Sequence, residues 1–216
     1  MREPSLDAED PRDALAALGR RFYGRGWMLG TAGNLSARVA DGTLWVTASG
    51  VDKGALTVGD FVRVTVEGQT VEAPPGKRPS AETCLHQAVY GWDDTQRACL
   101  HVHTIAANLL TRIWPGDLPL PPIEMVKGLG VWDEDPRLVA QVYENPAHVP
   151  AIGEAVAARL PVDPPDVPVY LVRDHGITVW GTTLREAANR VECATYLFDY
   201  MLQAVQADAV WWTDRP

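Results

Sequence analysis

The stretch "ACLHVHT", residues 98–104, decides how this chain is read. An apolar run leads straight into His101 and His103, two of only five histidines in the 216-residue chain. Successive side chains on a strand point to opposite faces, so residues two apart share a side. If 97–103 is a strand, both imidazoles look the same way. The preceding Ala98, Cys99 and Leu100 suggest a buried strand, where two unsatisfied rings would be costly. The pair reads either as two imidazoles on one metal ion or as two polar residues on an exposed strand face.

The pattern on either side predicts a sheet around this strand. Residues 33–50 read as a β-hairpin turning at Asp41-Gly42, and 61–71 continue as strands with a turn at Glu67-Gly68. Residues 166–176 and 177–181 form two further strands. Helices are expected over 9–27, capped by Asp10 with Pro11 in first position, and over 79–92, capped by Ser80. Others cover 104–114, 150–160 and 182–207, the last capped by Thr182 or Thr183. The proline-rich 115–130 reads as a loop leading into a short extended segment. The expected class is α/β: a central, largely antiparallel sheet with helices on its faces, in one domain over 1–216 with loose termini.

Composition narrows the function. Hydrophobic residues make up 46% and charged residues 22%, and the formal net charge is −9. An acidic chain without a basic tract gives no support to a nucleic-acid or membrane partner, yet a pocket of backbone N–H groups still binds a small anion. Three cysteines without a CxxC pair suggest a reducing compartment. The charged N-terminus has no signal-peptide core, and no apolar run nears the ~20 residues of a membrane span. A cytoplasmic protein is expected.

A third metal ligand is available in "VYLVRDHGITVWG", residues 169–181, where His175 precedes a glycine. Alone it reads as a polar turn residue. With His101 and His103 it completes three histidines at strand ends, the arrangement of a catalytic zinc site with an open fourth position. His86 reads as a helix packing residue, His148 as a loop residue, and Cys99 as a small core residue. "GTAGNLS" (30–36), "TASG" (47–50) and "RPSAET" (78–83) combine glycines with short hydroxyl and amide side chains. Such loops can surround a phosphate, although hairpin turns use the same residues. Lys53 adds a cation there or is a solvated surface lysine. Glu82 fits a capping box, three residues into its helix. Glu124, between Ile123 and Met125, suits proton transfer if its segment enters the site, or else lies on an exposed strand edge.

In the order "GTAGNLS … TASG … RPSAET … HVH … DHG", these segments resemble the class II aldolase/adducin family over residues 12–203. "TASGVDKGALTVGDF", "IEMVKGL", "VRDHGITVWG" and "ECATYLFDY" are closest to its branch that dehydrates methylthioribulose 1-phosphate in methionine salvage. The resemblance implies a three-layer α/β/α fold and a homotetramer with active sites at subunit interfaces. It implies one zinc ion per subunit on His101, His103 and His175, with Glu124 as acid/base. Thr31, Asn34, Ser49, Gly50, Lys53 and Ser80 fall where the family holds a ketose phosphate. Glu82 matches a glutamate that is catalytic in the aldolases and variable in the dehydratase branch. "SAE" here also lacks one hydroxyl of the family's "SSE". Two other readings stay open: a sugar-phosphate aldolase or epimerase of the fuculose- or rhamnulose-1-phosphate type, and a non-catalytic adducin-like interaction module. The complete histidine set argues against the module.

Overall fold

Residues 10–209 are described by a computed structural model of the chain. The elements run α1 (Arg12–Gly24), β1 (Asn34–Arg38), β2 (Leu44–Thr47), β3 (Phe61–Val64), β4 (Thr70–Glu72), α2 (Thr83–Trp92) and β5 (Ala98–Val102). They continue with α3 (Ile105–Ile113), β6 (Leu118–Pro119), β7 (Val139–Tyr143), α4 (Val149–Arg159), β8 (Val169–Val172), β9 (Gly176–Gly181) and α5 (Leu184–Gln206). The expectation of loose termini falls largely outside the described residues.

The nine strands form one sheet in the order β4-β3-β2-β1-β5-β9-β8-β7-β6. Every neighbouring pair is antiparallel except β7 with β8. β5 lies at the centre, so both of its edges are hydrogen-bonded and both of its faces are covered. Ala98, Leu100 and Val102 point into a core shared with Leu15 and Phe22 of α1, Leu110 of α3 and Leu197 of α5. Cys99 points the other way, into a core with Leu85 and Val89 of α2 and Ile152 and Val156 of α4. The result is the three-layer α/β/α arrangement.

Several local expectations change. β7 had no counterpart in the sequence reading. Residues 115–130 contain the two-residue strand β6 and a 3-10 helix, Glu124–Leu129, in place of the extended segment. Asp10 does not cap α1 directly: Pro11 takes the cap position while the Asp10 carboxylate accepts from Arg12 N–H at 3.1 Å. Thr183, rather than Thr182, caps α5 by accepting from Glu186 N–H at 3.0 Å. α2 begins later than Ser80 predicts. Ser80 Oγ accepts from Glu82 N–H at 3.3 Å in a preceding turn, and Glu82 stands at the cap position without a side-chain capping bond. The Glu82 carboxylate is thereby free to point elsewhere.

A buried polar ladder locks α2 to β1. Glu82, His86 and Tyr90 are spaced four apart and share one helix face, while Asn34 and Ser36 share one strand face. Asn34 Nδ2 donates to Glu82 Oε2 at 2.7 Å. Ser36 Oγ lies 2.6 Å from His86 Nδ1 and 2.9 Å from Tyr90 OH. Burial pushes His86 down to about 4, so it stays neutral. Ser36→Ala strands the buried His86 Nδ1, while Tyr90 OH keeps its bond to the residue-36 carbonyl at 3.2 Å, and is expected to cost about 1–3 kcal/mol in urea denaturation at unchanged m-value. A loss below about 0.5 kcal/mol would contradict the ladder.

The same residue gives a pH effect. The unfolded chain protonates His86 near its ordinary 6.5, whereas the folded chain resists until about 4. Stability is therefore complete above about pH 6.5 and falls as pH drops through that interval. The expected loss is about 3 kcal/mol from this group, read as urea midpoints of chelated protein between pH 7.5 and 4.5. A flat profile would refute it.

Candidate metal centre

β5 ends at Val102, and the chain turns at once into α3, which Thr104 caps by accepting from Ala107 N–H at 3.2 Å. His103 sits in that turn, its N–H donating to the Trp27 carbonyl at 2.8 Å. His101 is fully buried at the strand end, opposite Asn34 on one side and Thr178 on the other. The turn between β8 and β9 delivers His175. His101 Nε2 lies 3.0 Å from His103 Nε2 and 3.4 Å from His175 Nε2. Glu82 Oε1 is 2.8 Å from His175 Nε2, and Glu82 Oε2 is 3.8 Å from His101 Nε2. One ligand atom from each of these four residues falls within 4.8 Å of every other.

This geometry fits a metal ion. Nitrogens bound at 2.0–2.1 Å to a tetrahedral ion stand about 3.3 Å apart, close to the separations seen. The three Nε2 atoms converge on one point beside the Glu82 carboxylate, so rings protonated on Nδ1 would aim three lone pairs at a single cation. His101 Nδ1 lies 3.1 Å from Thr178 Oγ1, and donation there leaves the Nε2 lone pair facing the cluster. Burial, reinforced by the neighbouring rings, holds His101 well below its ordinary value and His103 at about 4. Both are therefore in the neutral, ligating form at pH 7. Burial pulls Glu82 upward, but the His175 hydrogen bond and the surrounding imidazoles outweigh it and bring the carboxyl to about 2.

Gly176 explains how the rings come so close. A methyl group there would fall 2.5 Å from the Val102 carbonyl and 2.8 Å from the His103 ring. Gly33, at φ +75°, allows a similar approach on the other side, where a side chain would meet the His101 carbonyl at 2.8 Å.

The three glycine- and hydroxyl-bearing loops are tied together. Ser49 N–H donates to the Arg78 carbonyl at 2.9 Å, next to a bridge between Ala48 and Pro79, which brings Ser49 and Gly50 toward Ser80. Lys53 N–H donates to the Gly30 carbonyl at 2.9 Å. Asn34 joins this region to Glu82. Lys53 is not a solvated surface residue. It is 1% exposed, and its Nζ donates to the carbonyls of Thr31 at 2.7 Å and Val51 at 3.1 Å. Burial lowers its pKa, and Glu82 is the nearby charge that most opposes this.

Glu124 is placed apart from the cluster. Its side chain is 85% exposed and pairs with Lys127 at 2.9 Å. It lines a cavity of about 240 Å³ with Ile123, Val126, Trp132 and Pro136, which no histidine lines. His86 is a buried packing residue, Cys99 is buried in the core, and His148 is an exposed residue just before α4. Thr178 and Trp27 support the centre without having been singled out. The parity of "GITVWG" is the only sequence signal for Thr178, and it needs the β5–β9 register to be read.

The profile of the Class II Aldolase and Adducin N-terminal domain matches residues 13–202. The chain belongs to the class II aldolase/adducin family. It is 48% identical over 199 residues to a protein of Microcystis aeruginosa named methylthioribulose-1-phosphate dehydratase, covering 91% of this chain and 97% of that one. A Bacillus subtilis protein of the same name is 39% identical over 194 residues, covering 88% and 90%. Among solved structures, L-fuculose-1-phosphate aldolase from Thermus thermophilus superposes with TM-score 0.69 at 26% identity, covering 95% of this chain and 97% of that one. YgbL from Escherichia coli, titled a putative aldolase/epimerase/decarboxylase, gives 0.77 at 24% identity, covering 96% and 92%, a likeness of fold. Among the described residues no helix is long and apolar enough to cross a membrane.

Gly176→Ala is expected to push the histidine rings apart. Zinc affinity, measured by competition with a chromophoric chelator, should fall about 10–100-fold, as when other supports of metal ligands are lost. Wild-type affinity in a folded variant would show that this close approach is dispensable.

Proposed function

We propose that this chain is a metal-dependent hydro-lyase that converts 5-methylthioribulose 1-phosphate to 2,3-diketo-5-methylthiopentyl 1-phosphate and water, in methionine salvage. The observation that carries this reading is the convergence of His101, His103 and His175 beside the tied loops. It occurs in a chain 48% identical to a protein named for that dehydratase. In this reading the chain is one class II aldolase/adducin-like domain, working in the cytoplasm with Cys84, Cys99 and Cys193 as free thiols.

His101, His103 and His175 would hold one zinc ion per subunit, with Glu82 beside it. When bound, such an ion supplies Lewis acidity that favours loss of a proton next to a carbonyl. The loops do the rest of the binding. Thr31, Asn34, Ser49, Gly50 and Ser80 offer N–H and hydroxyl donors to the phosphate. Lys53 contributes its charge from below while it braces the Thr31 and Val51 carbonyls.

Glu124 takes the proton from C3 and delivers it to the C4 hydroxyl, which leaves as water. The resulting enol tautomerises to the diketone. The C4–O bond breaks and the carbon chain stays whole, whereas an aldolase would break C3–C4. Exposed and paired with Lys127, Glu124 lies outside its own subunit's cluster. It would meet a substrate at the histidines when a neighbouring subunit contributes it. A homotetramer with sites at subunit interfaces supplies that arrangement. Glu82, ionised at neutral pH and bonded to Asn34 and His175, keeps an acceptor beside the reacting atoms.

The test is to incubate zinc-loaded protein with 5-methylthioribulose 1-phosphate. Diketone and water are expected, and Glu124→Gln should lower kcat about 10²–10⁴-fold at unchanged zinc content. Dihydroxyacetone phosphate and methylthioacetaldehyde as products would establish an aldolase instead. Full turnover by Glu124→Gln would remove Glu124 from the chemistry.

A further inference from the structure

His175 reaches the cluster from a β-turn over 172–175, closed by its own N–H donating to the Val172 carbonyl at 3.1 Å. The third residue of that turn, Asp174, has φ +55°. Residues with side chains rarely hold this left-handed conformation, and type II turns with positive φ at this place favour glycine or asparagine. Glycine would relieve the backbone. The aspartate offers what glycine lacks, a carboxylate.

Among the described residues, the partner of that carboxylate lies on a different element. Asp174 Oδ1 accepts from Arg112 Nε at 2.6 Å. Asp174 N–H donates to Thr111 Oγ1 at 3.1 Å. The preceding Arg173 donates to the Thr111, Trp114 and Pro115 carbonyls and to Glu144. Thr111 and Arg112 stand in the last turn of α3, and α3 opens immediately after His103. One short helix thus abuts the first two histidines at its start and grips the turn of the third at its end.

We propose that the Arg112–Asp174 tie is a positioning device for the metal centre: Arg112 and Asp174 hold the left-handed turn that sets the His175 ring against His101 and His103. The inference rests on the proposed role of these histidines as metal ligands. Neither residue belongs to the four-residue cluster, and Arg112 is 70% exposed along its side chain, so folding does not depend on burying it. The tie acts by narrowing where His175 points.

The test compares Asp174→Gly, Arg112→Ala and Arg112→Lys with wild type. Zinc affinity is read by chelator competition, and thermal midpoint is read on the metal-free protein. Asp174→Gly is expected to keep or raise the midpoint, because it relieves the left-handed residue, while zinc affinity falls about three- to fivefold, the scale of an exposed charged tie. Arg112→Ala should show the same fall in affinity, and Arg112→Lys should recover part of it. Wild-type affinity in both Asp174→Gly and Arg112→Ala would overturn the proposal. So would a loss of affinity matched by a loss of midpoint in both, which would assign the pair to folding. A wild-type protein that binds no zinc or other divalent ion would instead sink the metal-centre reading, and the proposal with it.

Discussion

Three imidazoles and a carboxylate, drawn out of water at one end of β5, must be held where they would otherwise repel or desolvate one another. The surrounding structure answers that constraint group by group. Thr178 takes the outer nitrogen of His101, and Trp27 takes the backbone N–H of His103. Asn34 holds one oxygen of Glu82 while His175 meets the other. Burial keeps the His101 and His103 rings neutral, so these two do not stack positive charge when a cation is absent. A cation placed among them gains ligands already oriented.

Such precision needs a rigid platform, and the middle of a nine-stranded sheet provides one. β1 and β9 flank β5, so the groups opposite His101 in register are Asn34 and Thr178, both polar and both used. The ladder of Ser36, His86 and Tyr90 then extends the same logic away from the centre. It fixes the rotation of α2, and with it the direction in which Glu82 leaves the helix. The two glycines beside the histidines do the opposite job: they remove side chains so that backbone and rings can approach.

Much of this was legible in the sequence, and the failures have physical causes. Alternation around "ACLHVHT" located the strand and the shared face of His101 and His103, because strand periodicity is a local property. The Asp41-Gly42 and Glu67-Gly68 turns were legible for the same reason. β7 was not: Val139–Tyr143 is short, follows a proline-rich stretch, and earns its place by pairing with β8, a partner some thirty residues on. Ser80-Ala81-Glu82 is one residue short of the S-x-x-E of a capping box, and Glu82 makes no capping bond. Long-range pairing with Asn34 and His175 decides its direction, and no local pattern reports that. Lys53 was ambiguous because burial of a lysine against carbonyls depends on two loops meeting. The 3-10 helix at Glu124 likewise replaced an extended segment that proline content had suggested.

The order of the strands has a consequence for how the protein is made. β5 emerges from the ribosome in mid-synthesis with two of the three histidines, but its partner β9 and the turn bearing His175 come more than seventy residues later. Until then the nascent chain can offer an incoming ion Glu82 and two histidines, without the third. Metal loading of the proposed centre would therefore wait for the nearly finished polypeptide. A chain cut short before β9 would compete poorly for metal, because the third histidine would never have been synthesised.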